Sequence, residues 1–330
     1  MENHYDKIAL IGAGTIGTAL GNVLAAAGRE SVLLHSIEEP VVESINTTHI
    51  NAKYFPNLLL NPNLRATRDN SLLEHCDIIF LAIPSVAVIG YLETLRGHFP
   101  EGALFVNLAK GFGSGSKTIT ECLKEKFPNP VCTMKGPSFA GEIINRMPTG
   151  FTVGYDETGL NPRIAGMFAG TTIHLDFTDD MRGVEILSIL KNIYAIVLGI
   201  VDAQFNSPNL RFLVLTKAFR EMRRILKWFG GREDTLFNYC GYGDFTLTAL
   251  NDLSRNRTLG LLIGKGFFTE HVSHELVLEG KTAAEVFYQE ISQTMPVEQH
   301  FPIIAELYRI FHSRYDISQF VNNILLLPEV

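Results

Sequence analysis

The sequence predicts an α/β chain in which a doubly wound parallel sheet is followed by an all-α domain. Three observations carry this. Short apolar runs alternate with helical stretches through the first half, the pattern of a parallel sheet covered on both faces. Beyond about residue 180 only helical periodicity remains. At 330 residues the chain also exceeds what one hydrophobic core usually serves, so two domains are expected, 1–180 and 181–330.

Lys7 to Ile11 reads as a buried strand, Gly12 opens a turn, and Thr15 to Ala27 reads as a helix ended by Gly28. SVLLH (31–35) is a second strand. DIIFLAI (77–83) is another, stopped by Pro84, and ALFVNL (103–108) comes next. Val131–Met134 and Gly150–Val153 are weaker strand candidates. Thr178, Asp179 and Asp180 are good caps for a long helix, which sets the domain boundary near 180. In that helix Ile186–Val201 is the most apolar segment. It is too short for a bilayer and carries Lys191 and Asn192 at its centre, so a buried helix is expected and no membrane span.

Composition narrows the class. The net charge is -7, with 46% hydrophobic and 19% charged residues, which allows a sizeable core. No long basic block suits a nucleic-acid partner, and Arg220–Arg224 with Lys227 reads as the solvated face of a helix. Cys76, Cys122, Cys132 and Cys240 are widely spaced and form no CxxC, so free thiols in a reducing compartment are expected. The polar stretch Met1–Asp6 runs straight into a strand without the pattern of a secretion signal, and a cytoplasmic location is expected. Glu270, His271, His274 and Glu275 fit one helical face. No further ligand cluster stands near them, so they read as helix surface and no metal is expected.

Gly12-Ala13-Gly14-Thr15-Ile16-Gly17 is a complete G-x-G-x-x-G between a strand and a helix. Gly12 permits the tight turn, Gly14 lets the backbone approach a pyrophosphate, and Gly17 lets helix pack on strand. The free N–H groups of the helix start then meet the anion. This makes the first domain a Rossmann-type dinucleotide-binding domain. The second strand ends in His35-Ser36 with no acid before Glu38. An acid there would hold the ribose hydroxyl of NAD and repel the 2′-phosphate of NADP, so NADP is favoured over NAD, although no arginine stands immediately after it. Leu81–Ser85 ends a strand at the edge expected to border the cofactor.

Other residues point to a substrate. Lys110 lies at a strand end beside glycines, and Gly136-Pro137-Ser138-Phe139-Ala140 is a strand end, a turn and a helix start. Ligands bind along that edge of such sheets. Lys191 lies in an otherwise apolar helix. A buried ammonium is costly unless it is paired or put to work, and burial moves its pKa towards the working pH of a general acid. A snorkelling lysine is the alternative. Asp244, on the Gly-rich turn 241–243, is a partner for it. Ser254, Arg255 and Asn256 join a cap, a charge and an amide at a helix start, a set suited to a phosphate dianion or simply to a capped helix.

Taken in order, GAGTIGTAL, INTTHINAKYFPN, LAIPS, NLAKGF, GPSFAGE, LKN, GGREDT, GYGDF, SRNR and LEG cover nearly the whole chain. The series resembles the NAD(P)-dependent glycerol-3-phosphate dehydrogenases of the bacterial type. The resemblance implies a Rossmann domain followed by a helical domain, commonly as a homodimer. It implies reversible reduction of dihydroxyacetone phosphate to sn-glycerol 3-phosphate, which feeds phospholipid synthesis. By the same resemblance Lys191 and Asp244 are catalytic. Lys110, Gly136, Ser138, Ser254, Arg255 and Asn256 complete the substrate contacts. Gly12, Gly14, Thr15, Ile16, Gly17, His35, Lys110, Ala140, Arg255, Val277 and Glu279 match the cofactor contacts.

The chain departs from the family's pattern in three places. Asn209–Leu213 replaces a run of small residues, which implies local repacking. Asn238–Cys240 stands where Gly-Leu-Ala is usual, and Phe245 replaces a leucine. Two alternatives remain at this level. Another two-domain reductase, of the 2-hydroxyacid or ketopantoate type, needs no phosphate cluster. A non-catalytic dinucleotide sensor needs only the first half.

Overall fold

The computed structural model describes residues 7–28, 31–156, 159–267 and 274–326, with side chains from residue 280 onward in the last stretch. The chain forms two compact units, Met1–Glu185 and Ile186–Val330.

The first unit runs β1 (Ile8–Ile11), α1 (Thr15–Ala26), β2 (Val32–His35), α2 (Glu39–Thr48), β3 (Leu64–Thr67), β4 (Ile78–Leu81), α3 (Ser85–Thr94), β5 (Leu104–Asn107), α4 (Ile119–Lys126), β6 (Val131–Lys135), α5 (Ala140–Ile144), β7 (Thr149–Tyr155), α6 (Leu160–Phe168) and β8 (Ile173–Thr178). The strands form one sheet in the order β3-β2-β1-β4-β5-β6-β7-β8. All neighbours are parallel except β6 and β7, so the sheet is mixed rather than wholly parallel. Ile8, Leu10, Ile78, Phe80, Leu104 and Val106 join one core cluster, while Ala9, Ile11, Ile79, Leu81 and Phe105 join another. Successive side chains of a strand point to opposite faces, so a near-continuous apolar run means that both faces are covered. The registers Ile11↔Leu81, Leu81↔Asn107 and Asn107↔Thr133 align the carboxyl ends of four parallel strands on one edge.

Two strands lie outside the sequence reading, β3 and β8. Both are sheet edges. β3 exposes Arg65 and β8 exposes His174, and such a half-wet strand lacks the apolar run that marks a central one.

The long helix α7 (Met181–Gln204) crosses from the first unit into the second. Asp180 caps it, its carboxylate accepting from the N–H of Gly183 at 2.9 Å. At 24 residues it is long and apolar enough to cross a membrane, contrary to the shorter span read from sequence, yet its apolar stretch is 94% buried in the protein. The second unit continues with α8 (Pro208–Trp228), α9 (Asp244–Leu250), α10 (Arg255–Gly264), α11 (His274–Ser292), α12 (Val297–His300), α13 (Pro302–His312) and α14 (Phe320–Leu326). α7 and α10 touch backbone to backbone. A Cβ on Gly260 would lie 2.0 Å from the carbonyl oxygen of Ile196, and one on Gly199 would lie 2.3 Å from that of Arg257.

Glu221, inside the basic stretch of α8, is buried rather than solvated. Its carboxylate accepts the Tyr194 hydroxyl at 2.9 Å and the N–H groups of Ile303 and Ile304 at 3.1 and 2.9 Å, which satisfies the start of α13. Arg223 and Lys227 of the same stretch are exposed and pair with Glu233. The bulky residues at 209–213 are not absorbed by repacking as expected, because Phe212 and Leu213 remain exposed. Phe245, by contrast, is fully buried and stacks on Phe219. All four cysteines are buried free thiols.

Two stability measurements test this packing. Gly260→Ala forces α10 away from α7 and is expected to cost about 3 kcal/mol in urea unfolding; a loss near zero would show that the helices give way freely. Burial raises the Glu221 pKa to about 7 from 4.5. The folded protein therefore keeps this proton where the unfolded chain has already lost it. Its contribution to stability should fall by about 3 kcal/mol as pH rises from 4.5 to about 7, then level off. Glu221→Gln should remove that fall from the pH profile of unfolding.

Candidate active site

In the first unit the Gly12–Gly17 loop sits on the carboxyl edge of β1. Gly12 has φ +110°, and a Cβ there would lie 2.5 Å from the carbonyl oxygen of Ala82, at the end of β4. The strand end at Leu81–Ser85 therefore borders the loop. A Cβ on Gly17 would lie 2.0 Å from the Gly12 carbonyl oxygen, whereas Gly14, the cap of α1, faces open space. Thr15 is exposed and Ile16 half-buried. The loop thus has backbone where side chains cannot fit and room where an anion would approach, so its residues fit a dinucleotide pyrophosphate.

A buried asparagine that sequence reading missed holds this loop. Asn51 donates to the Ala13 carbonyl at 3.0 Å and to the Thr18 hydroxyl at 2.9 Å, and Thr18 donates to Ala13 in turn. Only the string around it, INTTHINAKYFPN, carried a signal.

His35 ends β2, buried. Its Nε2 donates to Asn70 Oδ1 at 2.9 Å, and burial lowers its pKa. Glu38 pairs with Lys53 and accepts the Tyr54 hydroxyl at 3.0 Å. Further along the same edge, Lys110 is half-buried beyond β5. A Cβ on Gly136 would lie 2.2 Å from the Gly150 carbonyl oxygen, so that glycine is required by close approach to β7. Ser138 donates to the Gly136 carbonyl at 2.8 Å, and Ala140 opens α5. Sequence reading also missed Lys135 and Glu185, a fully buried pair just behind these residues.

In the second unit Lys191 is 5% exposed, so it does not snorkel. Its Nζ donates to Asp244 Oδ1 at 2.5 Å and to the Thr248 hydroxyl at 2.9 Å. Asp244 is the first residue of α9, where the helix start favours negative charge. The preceding turn needs glycine: a Cβ on Gly241 would lie 2.2 Å from the Leu236 carbonyl oxygen. Thr248 donates to the Asp244 carbonyl at 2.7 Å, which aims its lone pairs at the lysine. Thr248 is one helical turn past Asp244, and that spacing was its signal in sequence.

Ser254 caps α10, its side chain accepting from the N–H of Arg257 at 3.3 Å. Arg255 is exposed and Asn256 half-buried in the first turn. Arg257 is buried and anchors that turn to Asp202 and Asp252. The side chains of His274, Val277 and Glu279, and all of His271, lie outside the described residues, although 274, 277 and 279 belong to α11.

The family models of the NAD-dependent glycerol-3-phosphate dehydrogenase N-terminus and C-terminus match residues 7–160 and 180–322. A glycerol-3-phosphate dehydrogenase [NAD(P)+] of Clostridium botulinum is 31% identical over 97% of this chain and 97% of its own length. The chain belongs to this dehydrogenase family. One from Methanothermobacter thermautotrophicus is 40% identical over 78% of this chain and 80% of its own. The crystal structure of the Coxiella burnetii glycerol-3-phosphate dehydrogenase superposes with a TM-score of 0.88 at 28% identity, covering 98% of this chain and 99% of that one.

Within this family member, Asn51→Ala should weaken NADPH binding about tenfold while leaving the fold intact, because it strips the loop's buried support. Titration of cofactor fluorescence checks this, and an unchanged affinity would mean that the loop holds its shape without Asn51.

Proposed function

We propose that this chain reversibly reduces dihydroxyacetone phosphate to sn-glycerol 3-phosphate with NAD(P)H, supplying glycerophospholipid synthesis. One observation carries the reading of the chemistry: the buried ammonium of Lys191 held by Asp244 and Thr248. When bound, the cofactor supplies the hydride that reduces the C2 carbonyl. Lys191 donates a proton to the C2 oxygen and stabilises the negative charge that develops there. Asp244 and Thr248 keep the ammonium in one orientation, so little reorganisation is needed as charge builds. In the reverse direction Lys191 receives the proton.

The substrate contacts proposed are Lys110, Gly136, Ser138, Lys191, Asp244, Ser254, Arg255 and Asn256. The α10 start supplies N–H groups and Arg255 a charge, which suits a phosphate dianion. The cofactor contacts proposed are Gly12, Gly14, Thr15, Ile16, Gly17, His35, Lys110, Ala140, Arg255, Val277 and Glu279. Residues 1–180 would bind the dinucleotide and 181–330 the substrate. NADP is the preferred cofactor in this reading, because Glu38 is engaged by Lys53 and Tyr54 and His35, not an acid, ends β2. A cytoplasmic homodimer is the form proposed.

Lys191→Met tests the reading. NADPH oxidation with dihydroxyacetone phosphate should fall by roughly a thousandfold in kcat, with NADPH affinity nearly unchanged. Loss of both together would make Lys191 a structural residue.

A further inference from the structure

Lys135 and Glu185 are buried charges that the proposed chemistry does not use. Lys135 ends β6 and is 0% exposed, and Glu185 near the start of α7 is 1% exposed. Their charged atoms are 3.5 Å apart. Both grip Asn107, the last residue of β5. Lys135 Nζ donates to its carbonyl oxygen at 2.8 Å, and its side-chain amide donates to Glu185 Oε1. Glu185 also accepts from the Thr133 hydroxyl at 2.8 Å and from the backbone N–H of Thr120 at 3.1 Å.

Asn107 shapes the loop that leaves β5. Its Oδ1 accepts the N–H of Ala109 at 3.0 Å, and Lys110 comes next. Lys135 itself directly precedes Gly136. The network therefore holds the two strand ends from which the Lys110 loop and the Gly136–Ser138 turn emerge.

We infer that the Lys135–Glu185 pair is a positioning device for an anionic, phosphorylated substrate: it sets the backbone that presents Lys110 and Gly136 and places a second cation behind Lys110. This rests on Lys110 and Gly136 contacting that substrate. Lys135 acts through its neighbours, since it has no exposed surface.

The charge environment supports this. Burial lowers the Lys135 pKa to about 8, opposed by Glu185 and assisted by the nearby Lys110. Cys132, on the same strand, is pushed up to about 12 and stays neutral. Among the described residues the titratable groups acting on the ammonium are thus Glu185, Lys110 and the neutral Cys132 thiol. Lys135 is charged below about pH 8 and loses its proton above it, so attraction for the anion weakens as pH rises through that point.

The test compares Lys110→Met with the double variant Lys135→Met/Glu185→Gln, which removes both charges and leaves neither unpaired. The double variant should raise KM for dihydroxyacetone phosphate about tenfold, with kcat changed by less than about threefold and NADPH affinity retained. It should also flatten the rise in KM that the native enzyme shows through about pH 8. A folded double variant with native KM and a native pH profile overturns the inference, provided that Lys110→Met has raised KM. If Lys110→Met leaves KM unchanged, the underlying reading of Lys110 falls. A native KM that stays flat through about pH 8 also overturns the positioning role, even if the double variant does not fold.

Discussion

A charged amine in the middle of an apolar helix is the constraint around which the second unit is organised. α7 is buried along nearly all of its apolar length, and Lys191 interrupts it. Left alone, that ammonium would lose its proton or open the core to water. Asp244 and Thr248 prevent both, and they can do so only if α9 starts at one point against α7. The glycine-dependent turn at Gly241 sets that start, and the glycine contacts at Gly199 and Gly260 draw α10 against the same helix. Ser254, Arg255 and Asn256 are placed by the same packing. Satisfying a buried lysine thus fixes where the surrounding helices begin.

The first unit reaches a comparable result through a sheet. Parallel pairing brings the ends of β1, β4, β5 and β6 to one edge, whatever their order in sequence. Glycines occupy the places where backbone meets backbone, at Gly12, Gly17 and Gly136. Buried polar side chains then lock the loops that leave the edge. Asn51 holds the Gly12–Gly17 loop, and Asn107 with Glu185 and Lys135 holds the next two. Each polar group is satisfied by hydrogen bonds, which is what makes its burial tolerable and its geometry specific.

The bulky side chains of Phe212 and Leu213 stay exposed. Phe245 is different. Its ring is enclosed, stacked on Phe219 and set edge-on to Tyr194 one turn beyond Lys191. Tyr194 in turn binds Glu221. Aromatic packing and a buried carboxylate therefore stand behind Lys191.

The sequence by itself determined the central strands, the dinucleotide turn, the long helix and the singular status of Lys191. Each is written within a few adjacent residues, as an apolar run, a glycine pattern or a charge out of place. The edge strands β3 and β8 escaped because a strand wet on one side carries a mixed pattern. Only the tertiary structure decided which distant residues meet. Asn51 reaches the loop 38 residues before it, Thr133 reaches Glu185 across 52, and Lys191 reaches Thr248 across 57. A buried polar residue looks like any other in sequence, because its partner is chosen by chain topology and not by its neighbours.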